Sequence, residues 1–212
     1  TTPRDTAKII RCHPSPCCTL YGRLLRTMRI ERLAVADALL ITPSRLTDSR
    51  GFFSETYNAE RYAEAGLEQV FVQDNQSVSY QKGVVRGLHC QLPPHAQGKL
   101  VRCAHGAIWD VIVDIRHGSP TYGQWVSTEL SEENWSQLWV PPGFLHGFCT
   151  LTENSEVHYK CTAPYDKAAE RTVRWNSAEL AITWPISIKD VILSEKDSQA
   201  PEFSRSEPWF HV

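Results

Sequence analysis

The stretch Ile108-Trp109-Asp110-Val111-Ile112-Val113-Asp114-Ile115 decides the fold class. Successive side chains of a strand point to opposite faces, so the run sorts by parity. Trp109, Val111, Val113 and Ile115 make one continuously apolar face, while Ile108 and Ile112 share the other with Asp110 and Asp114. Further short β-prone runs occur at Phe71–Val72, Gly83–His89, Lys99–Arg102, Gln124–Leu130 and Glu156–Cys161. Turn residues separate them, at Pro93-Pro94, Gly118-Ser119-Pro120 and Pro141-Pro142-Gly143. One short helix is expected from Asn58 as cap through Glu64 to Gly66 as terminator. Closely spaced strands without helical crossovers predict an all-β protein, a sandwich or jelly-roll barrel rather than a Rossmann fold.

Composition sets the limits. The chain has 212 residues and a formal net charge of −2, enough for one domain with a sizeable core and too near neutrality for a general nucleic-acid binder. Its most apolar region, Leu138 to Leu151, is interrupted by Pro141, Pro142 and Gly143, so no membrane span is expected. The seven cysteines are odd in number and form no CxxC pair, which argues against a disulfide scaffold or zinc ribbon and for inert thiols in a reducing cytoplasm. The only methionine is Met28, and residues 1–27 carry Arg4, Lys8, Arg11, Arg23 and Arg26 against Asp5. They lack the apolar core of a secretory signal and read as a poorly ordered, added or mis-started leader, with a single domain over 28–212.

Polar clusters mark candidate chemistry. Gln73-Asp74-Asn75-Gln76-Ser77, Arg86-Gly87-Leu88-His89-Cys90-Gln91 and Lys99 place amides, cations and a histidine at alternating positions. Arg86 and Lys99 are candidate anion anchors there and His89 a candidate base. The bland alternative is a solvated strand face with a hydrogen-bonded histidine. In Pro141-Pro142-Gly143-Phe144-Leu145-His146-Gly147-Phe148, flanking glycines suggest close packing around a histidine aimed at a pocket, or only a barrel corner. Tyr159 and Tyr165 are a candidate acid and stacking surface, followed by Glu170-Arg171.

Taken in order, these clusters resemble the cofactor-independent sugar-nucleotide epimerases typified by the dTDP-4-dehydrorhamnose 3,5-epimerase family. The resemblance runs from about Met28 to about Pro208 and adds Arg50-Gly51-Phe52 to Glu55, Gly118 to Gly123, and Leu193-Ser194-Glu195-Lys196-Asp197. It implies a cupin-like jelly roll with short flanking helices, usually a homodimer. It implies action on dTDP-4-dehydro-6-deoxy-D-glucose in dTDP-L-rhamnose biosynthesis, with C3-only inversion of a related sugar as the alternative. His89 then resembles the family's base and Asp197 its partner, Tyr159 the proton donor to the other face, and Lys99 a donor near the C4 oxygen. Arg50 and Arg86 match diphosphate contacts, and Glu55, Gln73, Asp74, Asn75, His146, Glu170 and Lys196 other ligand contacts. Tyr165 resembles the residue that stacks on thymine.

No cofactor or metal is required, because the C4 ketone itself acidifies the C3 and C5 hydrogens. A metal-dependent cupin would carry a His-x-His pair, whereas His89 is followed by Cys90 and Gln91, with His95, His105 and His146 as scattered alternatives. A non-catalytic binding module would be expected to lack the base or the acid, and both are present. The expected partners are the dTDP-sugar and a second copy of the chain, with the edge strand near Arg50 to Glu55 pairing with or reaching towards that copy.

Overall fold

The computed structural model describes residues 28–206 and 209–211, so the expectation for the 1–27 leader lies outside the described residues. The first strands are β1 (Arg29–Arg32), β2 (Leu39–Thr42) and a small hairpin of β3 (Leu46–Asp48) and β4 (Gly51–Phe53). Helix α1 (Ala59–Glu64) follows, started by the Asn58 side chain, which accepts from the Arg61 N–H as the cap pattern predicts. Then come β5 (Gln73–Ser79), β6 (Val85–Gln91), β7 (Lys99–His105), β8 (Ala107–Asp114), β9 (Arg116–His117) and β10 (Trp125–Ser131). The chain continues through β11 (Gln137–Val140), β12 (Phe144–Thr150), β13 (Ser155–Cys161), β14 (Glu170–Thr172), α2 (Glu195–Ser198) and β15 (Phe210–His211).

Two antiparallel sheets form the body, one ordered β1-β2-β11-β7-β13-β5 and the other β10-β8-β12-β6-β14. They face each other across Val101, Cys103, Leu138, Val140 and Val157 from the first sheet and Ile108, Ile112, Leu130, Phe144 and Phe148 from the second. This is the expected all-β jelly roll. The mixed face of β8 is the one turned to this interior. Its continuously apolar face lies on the outside of the second sheet, where Trp109, Val111 and Val113 pack with Leu180, Trp184, Phe203 and Phe210 of the C-terminal segment. A third layer covers the first sheet, as Tyr62 of α1 packs with Leu39, Ile41, Leu100 and Trp139.

The segment Phe144–Thr150, which the sequence left open as a corner, is a full strand paired to β8 and β6. All seven of its residues are buried, so no polar alternation betrays it. Cys90, Cys103, Cys149 and Cys161 are buried and free, as the cysteine spacing implied.

At the far end of the barrel Asp114 is fully buried and accepts from Arg116 Nε (3.0 Å), Arg116 Nη2 (3.0 Å), Ser119 Oγ (2.6 Å) and Thr121 Oγ1 (2.6 Å). Burial alone raises a carboxyl, but these donors outweigh it and hold Asp114 below the usual range. Its stabilising contribution is therefore present above the ordinary carboxylate pKa of about 4 and fades as pH falls through the depressed native value. Replacing Asp114 with Ala strands a half-buried guanidinium and two hydroxyls, and should lower unfolding free energy by about 3 kcal/mol or more in urea titrations at neutral pH. A loss under about 1 kcal/mol shows that the network is not what closes this end.

Candidate active site

The other end of the interior is open and polar. Strands β6, β8 and β12 contribute His89, Asp110 and His146 from one sheet, and β7 and β13 contribute Lys99 and Tyr159 from the facing sheet. Two adjoining hollows, of about 430 and 320 Å³, meet at His89, Lys99 and Tyr159. The first also borders Arg86, His146, Phe148, Lys196 and Asp197. The second borders Gln73, Asn75, Cys161, Tyr165 and Glu170.

Glycines allow β6 and β12 to come close enough to set this wall. A Cβ on Gly87, whose φ is +124°, would lie 2.6 Å from Gly147 Cα. The result pairs His89 with His146 across the two strands, side by side on one wall.

His89 Nε2 lies 2.6 Å from Asp197 Oδ1. Asp197 is brought there by the segment before α2, which is latched to β6. Val85 N–H donates to the Ile192 carbonyl and Ile192 N–H to the Gly83 carbonyl, both at 2.9 Å. The Asp197 N–H then donates to the capping Ser194 Oγ (3.1 Å), and its buried carboxylate also accepts from the Gly87 N–H. Burial works to raise the Asp197 carboxyl, but His89, Ser194 and Gly87 outweigh it and hold it low, hence ionised. Burial pushes the His89 imidazole below its ordinary value, and Asp197 only partly restores it. The resting pair at neutral pH is a neutral imidazole on a carboxylate, with Nε2–H donating and Nδ1 left to accept a proton.

Opposite, burial raises the Tyr159 phenol, which stays protonated at neutral pH. Burial also lowers the Lys99 ammonium, a shift resisted by the negative charges of Asp110 and Glu170. The buried Cys90 thiol is pushed up to about 12 and the Cys161 thiol is raised, so neither supplies a thiolate.

The remaining predicted residues divide. Glu170 Oε1 accepts from Lys196 Nζ (2.7 Å) and its Oε2 from the Tyr165 hydroxyl (3.2 Å), so these three form one chain at the rim. Gln73 Nε2 donates to Asn75 Oδ1 (2.9 Å), while Gln73 Oε1 accepts from the Tyr165 N–H (2.9 Å) and steadies the loop bearing that ring. Arg86 is tied by Nε to Ser79 Oγ (3.2 Å) and by Nη2 to the Val78 carbonyl (3.2 Å).

Asp74 turns to the outer face of β5, where Lys160 Nζ donates to its carboxylate (2.9 Å). Arg50 and Glu55 do not reach the cleft of their own chain. Arg50 Nη2 pairs with Asp48 (2.6 Å) at the tip of the β3–β4 hairpin, and Glu55 pairs with Arg61 (2.6 Å). His95 and His105 lie apart from the cleft histidines, near Asp166 (3.5 Å) and Glu132 (3.1 Å). Sequence reasoning placed Asp110 on a mixed strand face without giving it a part in the site, and it missed the Ser194 cap. Ser-x-x-Asp at 194–197 is the local signal that finds the latter.

Residues 32–205 match the family model described as dTDP-4-dehydrorhamnose 3,5-epimerase. A dTDP-4-dehydrorhamnose 3,5-epimerase of Sinorhizobium fredii is 49% identical over 180 residues, which covers 85% of this chain and 92% of the relative. Two crystal structures share the fold. One is the dTDP-4-dehydrorhamnose 3,5-epimerase of Bacillus anthracis with TDP and pyrophosphate bound, with TM-score 0.81, 45% identity, and coverage of 84% of this chain and 100% of that one. The other is the dTDP-6-deoxy-D-glucose-3,5-epimerase of Legionella pneumophila in complex with dTDP-4-keto-L-rhamnose, with TM-score 0.79, 46% identity, and coverage of 83% and 93%. With the histidine–carboxylate pair facing a tyrosine and a lysine across a jelly-roll interior, and with likeness of this extent in sequence and fold, the chain belongs to the dTDP-4-dehydrorhamnose 3,5-epimerase family.

Proposed function

We propose that this protein inverts C3 and C5 of dTDP-4-dehydro-6-deoxy-D-glucose, giving dTDP-4-dehydro-L-rhamnose for dTDP-L-rhamnose biosynthesis. The observation that carries the reading is that the base and the acid belong to opposite sheets, His89 on β6 and Tyr159 on β13. Inversion of a carbon requires removal of a proton from one face and delivery to the other. His89 Nδ1 takes the proton beside the C4 ketone, and the C–H electron pair moves into an enolate. Asp197 stabilises the imidazolium that results. Lys99 balances charge growing on the C4 oxygen, and Tyr159 gives its phenolic proton to the opposite face, which returns the electron pair to the ketone. Solvent then takes the proton from His89 and restores one to Tyr159, so the pair is reset for the second carbon.

At the nucleotide end, Arg86 and Lys196 balance diphosphate charge, with Asn75, Gln73 and Glu170 as further polar contacts and the exposed Tyr165 ring as the stacking surface for thymine. Asp74 and Glu55 face away from this cleft and have no part in it within one chain.

The acting unit is a homodimer whose β3–β4 hairpin extends Arg50 towards the cleft of the other copy. Support comes from the 85% exposed Arg50 side chain and from exposed apolar side chains on the hairpin, Phe52 and Phe53, and along the open edge of β5, Val72, Val78 and Tyr80.

Incubation with dTDP-4-dehydro-6-deoxy-D-glucose in heavy water, without added metal or nicotinamide, should place deuterium at both C3 and C5. Label at C3 alone moves the assignment to a mono-epimerase, and no label rejects this substrate. His89→Ala should lose on the order of 10² to 10⁴ in rate together with exchange, whereas Tyr159→Phe should lose epimerisation more than exchange. Retained epimerisation in the His89 variant overturns its role as base. Tyr165→Ala should weaken nucleotide binding by about 1 to 3 kcal/mol in calorimetry, and unchanged affinity removes the stacking role. Arg50→Ala and His89→Ala chains, each feeble alone, should regain about a quarter of wild-type activity when unfolded and reassembled together, because each mixed dimer then has one intact cleft. No recovery on mixing confines Arg50 to its own chain.

A further inference from the structure

Asp110 is a buried carboxylate next to the cleft histidines that the steps above leave unused. Its side chain is fully buried, and His146 Nε2 lies 3.0 Å from each of its two oxygens. Among the described residues no other hydrogen bond ties down the His146 ring, and no buried side-chain nitrogen or oxygen lacks a partner. His146 Nδ1 therefore reaches the open hollow that this residue borders, beside His89. The arrangement repeats the His89–Asp197 pair on the same wall, with a carboxylate behind the ring and the second nitrogen facing the cleft. A carboxylate on one ring nitrogen fixes both the tautomer and the ring plane.

We propose that Asp110 is a positioning residue of the reaction: it holds His146 as the Nε2–H tautomer, so that Nδ1 stands in the cleft as a fixed acceptor for a sugar hydroxyl. This rests on the epimerase reading of the same cleft. Asp110 is fully buried and borders neither hollow, so its effect on a bound sugar hydroxyl passes through His146. Chemically the cleft then holds one histidine that exchanges protons and one that does not. Both are oriented by aspartates, and they are distinguished by what lies opposite them.

Nitrogen-15 NMR of histidine-labelled wild-type protein at pH 8, with His146→Asn to assign the resonance, reads the tautomer directly. Protonated Nε2 with unprotonated Nδ1 is expected, and a protonated Nδ1, in the other tautomer or a doubly protonated ring, overturns the proposal. Asp110→Asn should lower kcat/KM on the order of 10- to 100-fold, and adding it to His146→Asn should cost far less than it costs alone. Losses that multiply in the double variant, or an Asp110→Asn enzyme with wild-type kinetics, also overturn it. Should Asp110→Asn fail to fold, the wild-type spectrum decides alone. If wild-type protein fails to act on dTDP-4-dehydro-6-deoxy-D-glucose, the epimerase reading falls while the tautomer result still stands.

Discussion

A charge taken into a protein interior must meet an opposite charge or a set of hydrogen bonds, because leaving it alone costs several kcal/mol. That requirement organises this barrel from end to end. Asp114 meets Arg116 with two hydroxyls at the closed end, Asp110 meets His146 in the middle, Asp197 meets His89 at the mouth, and Glu170 meets Lys196 and Tyr165 at the rim. Each pairing fixes a rotamer as well as a charge. The orientation of the cleft side chains is thus a by-product of solving the burial problem, and the apolar residues between the sheets supply the low dielectric that makes the solution strict.

The same requirement explains what could be read from the sequence. Asp110 and Asp114 interrupt an otherwise apolar strand at alternate positions, which marks a face that is buried yet polar. The pattern located that face but not its side of the sheet. The continuously apolar face packs beneath the C-terminal wrap, and the mixed face is the barrel interior. Alternation also bore on β5, where Gln73, Asn75 and Ser77 share one face and Asp74, Gln76 and Val78 the other, so Asp74 and Asn75 cannot both enter one interior. Family resemblance grouped these neighbours as ligand contacts, and the pleat separates them.

Other features had no local signature. β12 is buried along its whole length, and a strand covered on both faces loses the alternation that identifies one. His89 and Asp197 are 108 residues apart, and nothing in the composition near either announces the other. What brings them together is a two-bond backbone latch between Gly83, Val85 and Ile192, followed by a serine cap that starts a four-residue helix. Gly83 has φ +85°, and a Cβ there would lie 2.6 Å from the Asp190 carbonyl oxygen, so the latch depends on a side chain that is absent.

Sheets packed face to face stand about 10 Å apart, a spacing that a sugar ring and one side chain on each side nearly fill. A ring lying in such a gap presents one face to each sheet. On the proposed reading, a residue of β6 and a residue of β13 address opposite faces of the same carbon without any movement of the chain. Burial adjusts both in the useful direction, lowering the imidazole so that it is free to accept a proton and raising the phenol so that it still holds one. In water at neutral pH an ordinary imidazole is partly protonated and the difference in proton affinity to phenol is fixed. Inside the barrel that difference is widened by desolvation while Asp197 remains ready to stabilise the imidazolium once it forms. The geometry that permits inversion and the electrostatics that set the proton inventory thus have one origin, the closure of two sheets around a polar mouth.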